Sequence, residues 1–353
     1  MWSVTYHVKP LQIPWLPYAM RSMAFGFAPP PFQKEPNGYY GCTATNMPAF
    51  RDEPYMPPED QLRAWMLIYY EQDRKLDADK YWKETGKDDF ARYKPLIAAD
   101  GLVKRTAAEL VSGVDKPEEK LVALDLFCRT KIANVDQAIG AQSQLTAEQR
   151  RAIKENHSPG DTLKQKAGHG MDIDYLFAAL ASAAGFEARM ARVPDRGDTF
   201  LDRRRPVAAF IENFSVAVKL GDKWVFYDPV SRFLEPGMLR WQEEGQQALI
   251  SDPKEGFWAP SQHLEPDRSD RKHRARFKLL ADGSLVGSVE YSYTGHPGRE
   301  HKFEYSEMTA AEQEESWKKS LQGRLSSAEI SGLEMLNIRV SAETRSPGGP
   351  RSS

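Results

Sequence analysis

The most informative stretch of this chain is GHGMDIDYLFAALASAAG, residues 168–185. Its glycines permit a tight turn, and Asp172 follows where a helix would begin, so that its carboxylate interacts favourably with the helix dipole. Leu176 and Leu180 recur at helical spacing and predict a buried face, and Gly185 is typical of a helix C-terminus. The stretch therefore predicts a tight loop followed by a buried helix that packs closely on a sheet.

Three strands are predicted directly after this helix. They cover residues 187–193, residues 207–220 and residues 224–227, and the last strand ends at Asp228. The Gly-Asp pair at 221–222 predicts the turn between the second and third strands. A helix N-terminus that faces antiparallel strands is a suitable place to activate a nucleophile, because the helix dipole and a nearby imidazole both lower the pKa of a thiol.

Together these features resemble the transglutaminase-like superfamily. Members carry a Gly-x-Cys-x-Asp pattern at the start of the core helix, a His on the next strand and an Asp in an Asp-Pro-Thr-like turn. Here Gly168, Asp172 and Gly185 match the helix, and Asp228 in the sequence WVFYDPV matches the turn. The resemblance implies an α+β fold with a papain-like, transglutaminase-like core, in which helices pack on an antiparallel sheet, flanked by β-rich domains as in bacterial three-part members.

The resemblance extends over most of the chain. The sequence MPAFRDEP resembles the end of the family's N-terminal sandwich, and DGSLVGSVEYSYTG resembles its C-terminal domain. The expected organisation has five segments: a β-rich N-terminal domain, interpreted as a truncated sandwich, at 1–72; a helical connector at 73–115; the transglutaminase-like core at 116–265; a C-terminal β-rich domain with one helix at 266–345; and a disordered tail at 346–353.

Two positions of the family pattern hold residues that cannot perform its chemistry. The Cys position is Gly170 and the His position is Asn213, so that only Asp228 remains of the Cys-His-Asp set. Acyl transfer through a thioester needs a nucleophile and a base within hydrogen-bond reach, and losing either lowers the rate by orders of magnitude. We therefore expect an inactive protein that acts as a binding or scaffolding module, in which Asp228 caps a turn or holds Asn213.

Two other hypotheses stay open from the sequence. An enzyme of altered chemistry would use His169, Asp172 and Asp228 as acid, base or metal ligands, although a loop histidine bonded to backbone is the more ordinary role for His169. A conventional thiol enzyme would need Cys128 in the site. However, Cys128 falls on the apolar face of a helix predicted at 118–132, where it is expected to be a buried apolar residue.

Composition excludes several functional classes. Lys and Arg number 48 against 50 Asp and Glu, so there is no general cationic surface for nucleic acid. No apolar run approaches the ~20 residues that cross a bilayer, and two cysteines cannot form a four-cysteine zinc site. No metal or other cofactor is expected. The expected ligand is a peptide, protein or glycan, with Trp224 and Tyr227 as candidates to line its cleft.

Compartment is left open by the sequence. The family resemblance suggests an exported or periplasmic protein, whereas the first residues, MWSVTYH, have neither the basic nor the apolar region of a signal peptide.

The flanking segments carry their own local signals. Alternating apolar residues predict a strand at 2–8, and Asp-Gly at 282–283 predicts a hairpin turn. Thr309 predicts the start of a helix that ends at 324, and residues 335–340 are predicted to form a closing strand. His296 and His301 are assigned to a loop.

Overall fold

The structure, a computed structural model, describes residues 2–11, 18–72, 77–137, 144–324 and 329–336. The N-terminal part contains two small antiparallel sheets and a short helix. In one sheet, β4 pairs with both β1 and β3; in the other, β2 pairs with β5. The bounds are β1 (Trp2–Val8), β2 (Tyr18–Phe25), β3 (Gln33–Lys34), β4 (Tyr40–Met47), α1 (Glu59–Leu62) and β5 (Trp65–Gln72).

Within residues 77–137 and 144–183, six helices follow, and most begin at a residue suited to capping. The side chains of Asp77, Asp100, Thr146 and Ser158 each accept a hydrogen bond from a backbone N–H of the first helical turn, which satisfies a donor that the helix itself leaves open. The bounds are α2 (Ala78–Tyr93), α3 (Gly101–Leu110), α4 (Pro117–Lys131), α5 (Ala147–Ala152), α6 (Pro159–Gln165) and α7 (Gly170–Ala183).

The central sheet has five strands, and every neighbouring pair is antiparallel. Its order is β10-β9-β8-β11-β12, with β8 (Ala188–Val193), β9 (Asn213–Leu220), β10 (Lys223–Tyr227), β11 (Gln247–Ile250) and β12 (Phe257–Pro260). The strand predicted at 207–220 was too long, because Ala208–Phe210 form a turn of 3-10 helix and the strand begins at Asn213. A two-residue parallel pair, β6 (Ala133–Asn134) with β7 (Ala167–Gly168), precedes α7.

The main core forms where α7 packs on this sheet and on its neighbouring helices. Leu176, Phe177 and Leu180 are fully buried, and their cluster includes side chains from α3, α4, β8 and β9. The small residues of α7 at 178, 179 and 181 are also fully buried, so the helix approaches the sheet closely, as its sequence predicted. The described chain is thus α+β, with helices on an antiparallel sheet and further sheets on either side.

The C-terminal part is a hairpin followed by two helices: β13 (Arg271–Leu279), β14 (Leu285–Tyr293), α8 (Gly295–Tyr305) and α9 (Ala310–Arg324). Gly283 in the predicted turn has φ +86°, which favours glycine. The assignment of His296 and His301 to a loop was wrong, since both lie in α8. Residues 335–336 have no regular structure, and the rest of the predicted closing strand and the tail at 346–353 lie outside the described residues. The five-segment division of the chain stays a prediction.

Candidate functional site

Gly170 is the first residue of α7, and its surroundings are set by two loops. Its backbone N–H donates to Oδ2 of Asp136 at 2.8 Å. A Cβ placed on Gly170 would lie 3.3 Å from Cγ1 of Val230 and 3.7 Å from that carboxylate oxygen. Since Val230 comes two residues after Asp228, the start of α7 faces the connection that follows β10. Position 170 and the Asp228 loop therefore meet.

Asp136 is a site residue that sequence reasoning missed. It lies just after β6, whose pairing with β7 (Asn134 opposite Gly168) brings the two loops together. Burial would raise the pKa of the Asp136 carboxyl, but the hydrogen bonds from the Gly170 N–H and the His169 imidazole outweigh it and lower the pKa. No local sequence signal marks Asp136, because both partners are more than thirty residues away.

His169 pairs with this carboxylate at the surface. Its Nδ1 lies 2.6 Å from Oδ1 of Asp136, and its side chain is 68% exposed. The hydrogen bond to Asp136 raises the pKa of His169, since it favours the protonated ring. Asp172 accepts the backbone N–H of His169 at 2.9 Å and an amide N–H of Asn156 at 3.1 Å. The described contacts thus make Asp172 a helix cap, and they do not join His169 or Asp172 to Asp228.

Asp228 is buried, with 6% of its surface exposed. Oδ1 accepts the backbone N–H of Ser231 at 3.1 Å, and Oδ2 accepts its hydroxyl. The guanidinium Nε of Arg240 lies 3.7 Å from Oδ2. Of the two expected roles, Asp228 therefore caps the turn after β10.

The other expected role, a hydrogen bond from the Asn213 amide to the Asp228 carboxylate, does not occur among the described contacts. Asn213 begins β9 and its Nδ2 instead lies 3.5 Å from Oδ2 of Asp195. Asp195 and Asp228 both interact electrostatically with Arg240. The position expected to hold a base thus lies near the same arginine as Asp228, but the two side chains have different partners.

A buried group of carboxyls surrounds Arg240. Asp174 lies one turn after Gly170 on α7, and Glu243 lies just beyond Arg240; their exposures are 4% and 0%. Burial raises the pKa of Asp174 well above its ordinary value, and the nearby charges of Asp228 and Glu243 raise it further. Burial, followed by the charge of Asp228, raises the pKa of Glu243 to about 7, although Arg240 hydrogen-bonds to it. Near neutral pH the Glu243 carboxyl is therefore partly protonated.

A buried ion pair on α4 holds the loop that follows Asp228 in place. Arg129 of α4 donates to Oδ1 of Asp125 at 2.9 Å, and both side chains are almost fully buried. The same guanidinium donates to the backbone carbonyls of Ser231 and Leu234. Because Ser231 also holds Asp228, the loop is fixed to α4 and has little freedom to re-aim its carboxylate.

The predicted cleft-lining residues lie in or near the core. Tyr227 is 4% exposed, and its ring lies 5.1 Å from that of Phe177. Trp224 packs against Phe257 at 5.7 Å between ring centroids. Their role in ligand binding stays a prediction.

Neither cysteine has the surroundings of a nucleophile. Cys128 is fully buried, and burial raises the pKa of its thiol well above the ordinary value. Cys42 is also buried, and its thiol lies 3.1 Å from the carbonyl oxygen of Pro30. Within the described residues, no group of three or more His, Cys, Asp or Glu side chains could hold a metal ion.

Comparison with known proteins identifies the core. Residues 104–229 match the family model of the transglutaminase-like superfamily, so the chain contains a transglutaminase-like domain. No curated protein matches the chain.

Two solved structures give more distant likenesses. A proposed protease from Parabacteroides distasonis is 14% identical, with 79% of this chain and 50% of that chain covered and a TM-score of 0.45. A proposed cysteine protease from Cytophaga hutchinsonii is 11% identical, with 65% and 72% covered and a TM-score of 0.28. The chain thus spans half the length of the first of these proteins. Among the described residues, no helix is both long and apolar enough to cross a membrane.

Proposed function

We propose that the transglutaminase-like domain is catalytically inactive and acts as a binding or scaffolding module. The observation that carries this proposal is that the first residue of α7 has no side chain and that its backbone N–H is already hydrogen-bonded. That residue is Gly170, and the acceptor is the Asp136 carboxylate. Free N–H groups at a helix N-terminus stabilise a thiolate or a developing oxyanion. Here an internal anion occupies that donor.

The proton-transfer side of the site supports the same proposal. The amide of Asn213 cannot accept a proton near neutral pH, and its amide nitrogen lies 3.5 Å from Oδ2 of Asp195. Both oxygens of Asp228 are bonded to Ser231. A base would therefore have to be created at position 213, and the carboxylate that could orient it is engaged elsewhere. We propose a peptide, protein or glycan as the ligand, by analogy with the fold alone.

The proposal is tested by trying to rebuild a reactive thiol. The Cβ of Gly170→Cys meets the flexible Val230 side chain at 3.3 Å, so a small movement accommodates it. The new thiol lies beside the Asp136 carboxylate, which disfavours a thiolate. We expect slow alkylation of Gly170→Cys near neutral pH, and at least about tenfold faster alkylation when Asp136→Asn and Asn213→His are added, since a tenfold change requires only about one pKa unit.

The unmodified chain supplies the other half of the test. Amidase, peptidase and transglutaminase substrates should give no turnover. Turnover that disappears in Asp228→Ala would contradict inactivity, and the rebuilt variant serves as the control that the fold tolerates such a thiol. Equal alkylation rates for Gly170→Cys with and without the added substitutions would contradict the role assigned to Asp136.

A second candidate function rests on the His169–Asp136 pair. At 2.6 Å, the carboxylate fixes the ring and favours its protonated form, as in an acid-base pair. Such chemistry would use Asp136 rather than the Asp228 considered from sequence. Turnover lost in His169→Gln but kept in Asp228→Asn would favour this function over the inactive module.

A further inference from the structure

The hairpin of β13 and β14 has two faces of different chemistry. On one face, Arg271 and His273 lie at the base, and the side chains towards the turn are apolar and exposed: Phe277 55%, Leu279 68%, Leu285 64% and Val289 42%. Pairing places Leu279 opposite Leu285 and Ala275 opposite Val289. The apolar side chains are therefore contiguous, as expected for one face of a strand pair.

The base of this apolar face is already covered. Tyr291 and Tyr293 lie 5.5 Å and 6.4 Å from the ring of Trp317 on α9. Towards the turn, the described residues provide no comparable cover, and both faces of β13 are exposed along its length. A strand pair exposed on both faces is marginally stable in water, so the uncovered part of the apolar face is suited to an apolar partner.

The opposite face is mainly cationic. It carries Lys272, Arg274, Arg276 and Lys278 in β13, and the residues paired with them include one carboxylate, Glu290, and the exposed Val286 opposite Lys278. Lys272 also pairs with Asp270 at 2.8 Å. Arg271, which lies at the base of the other face and pairs with Glu300, brings the net charge of the two strands to +4 with His neutral. The whole chain has a net charge of -2. Positive charge is therefore concentrated at this hairpin.

We propose that the β13–β14 hairpin binds the surface of an anionic lipid bilayer. The apolar face lies on the acyl boundary, and the long Arg and Lys side chains of the other face reach back to the headgroups, as cationic side chains do at interfaces. Asp282 in the turn is a carboxylate, so the hairpin lies flat rather than entering the bilayer turn first.

The charge distribution favours a bilayer over other occupants. A second copy docked on the apolar face would cover Leu279 and Leu285 but would leave the cationic side chains of both copies without an anionic partner. A nucleic acid would satisfy the cations but would leave the Leu279 and Leu285 face in water, because affinity for it comes mainly from phosphates and stacked bases. An anionic bilayer offers both a negative surface and an apolar layer.

Vesicle sedimentation of the full chain tests the proposal, with phosphatidylcholine vesicles and vesicles that are one third phosphatidylglycerol. Each cation near an anionic leaflet strengthens binding about five-fold, so Arg274→Gln/Arg276→Gln should weaken it by about twenty- to thirty-fold. The matched control is Lys318→Gln/Lys319→Gln on α9, which removes the same charge and should bind as the unmodified chain does.

A labelled cysteine tests the orientation without removing the apolar face. Because Cys42 and Cys128 are buried, Leu285→Cys provides one accessible thiol for an environment-sensitive dye, and Ser288→Cys provides its counterpart on the cationic face. We expect a blue shift on anionic vesicles for position 285 and a much smaller one for 288. Equal shifts at the two positions would contradict the flat orientation.

Four results would overturn the proposal. They are no binding to anionic vesicles at low salt, equal binding to neutral and anionic vesicles, tighter binding to RNA than to vesicles, and a solution dimer that Phe277→Ser converts to a monomer. The last two would assign the face to a nucleic acid and to a second copy, respectively. None depends on whether the transglutaminase-like domain is catalytically inactive.

Discussion

Replacing Glu243 with Gln should change how the stability of this protein depends on pH. The Glu243 side chain is fully buried, and its pKa rises from 4.5 to about 7 in the folded protein. Ionising it there costs roughly 3 kcal/mol more than ionising it in the unfolded chain, at 1.36 kcal/mol per pH unit. Gln has nearly the same shape and can still accept the hydrogen bond from Arg240, but it cannot ionise.

The sign follows from the raised pKa. Below about pH 4.5 Glu243 is protonated in both states and contributes no pH dependence. Between about pH 4.5 and 7 the unfolded chain releases this proton while the folded protein keeps it, so the contribution of Glu243 to the free energy of unfolding falls as pH rises. Above about pH 7 the full cost is present. The Gln variant should therefore gain stability relative to the unmodified protein by roughly 3 kcal/mol between pH 4 and pH 8.5.

Urea unfolding at several pH values, with far-UV circular dichroism as readout, measures this difference. Glu235→Gln is the control, since that carboxyl is 56% exposed and pairs with Arg268 at the surface. A difference between Glu243→Gln and the unmodified protein that stays constant from pH 4 to pH 8.5 would refute the reasoning. It would mean that Arg240 compensates the buried charge fully.

Two further predictions concern packing and the α7 N-terminus. Gly86→Ala would place a Cβ 2.4 Å from the Cα of Gly256, so it should lower the free energy of unfolding by about 1–3 kcal/mol. Gly323→Ala has nothing within 4 Å of its new Cβ, so it should raise the free energy of unfolding by about 0.5–1 kcal/mol. Chemical denaturation of both variants measures the two changes. Asp136→Ala should lower the pKa of His169, because the main cause of its elevation is lost, and an NMR titration of the ring that shows no change would contradict the pairing.

The α7 segment illustrates what a sequence reveals about this fold. Its apolar spacing and small residues reflect contacts that repeat along one helix, so its burial and its end near Gly185 followed directly. The strand at 2–8 and the hairpin around the Asp-Gly turn were predictable for a similar reason, because their signals also lie in neighbouring residues. Short elements such as β11 and β12, each of four residues, carry too little periodicity to be recognised.

The site itself depends on contacts between distant parts of the chain. Gly170, Asn213 and Asp228 could be found by spacing within a family pattern, but Asp136 and Arg129 could not. Asp136 reaches Gly170 across 34 positions, and Arg129 reaches Ser231 across 102. The first residues of α8, Gly295 to Gly298, led the sequence analysis to predict a loop instead of a helix, because glycine and proline normally indicate a turn.

These long-range contacts bear directly on whether catalysis could return. An enzyme needs its helix-end N–H and its orienting carboxylate available to the reacting groups. In this protein the Asp136 carboxylate accepts the N–H of Gly170, and Ser231 donates to the carboxylate of Asp228. Arg129, which forms a buried ion pair with Asp125, also donates to the Ser231 carbonyl. If the domain is inactive as proposed, Gly170→Cys alone adds a thiol but leaves the Gly170 N–H bonded to Asp136 and the Asp228 carboxylate bonded to Ser231. Restoration should then require substitutions in the surrounding contacts as well, and the number of such substitutions measures how far the site has become structural.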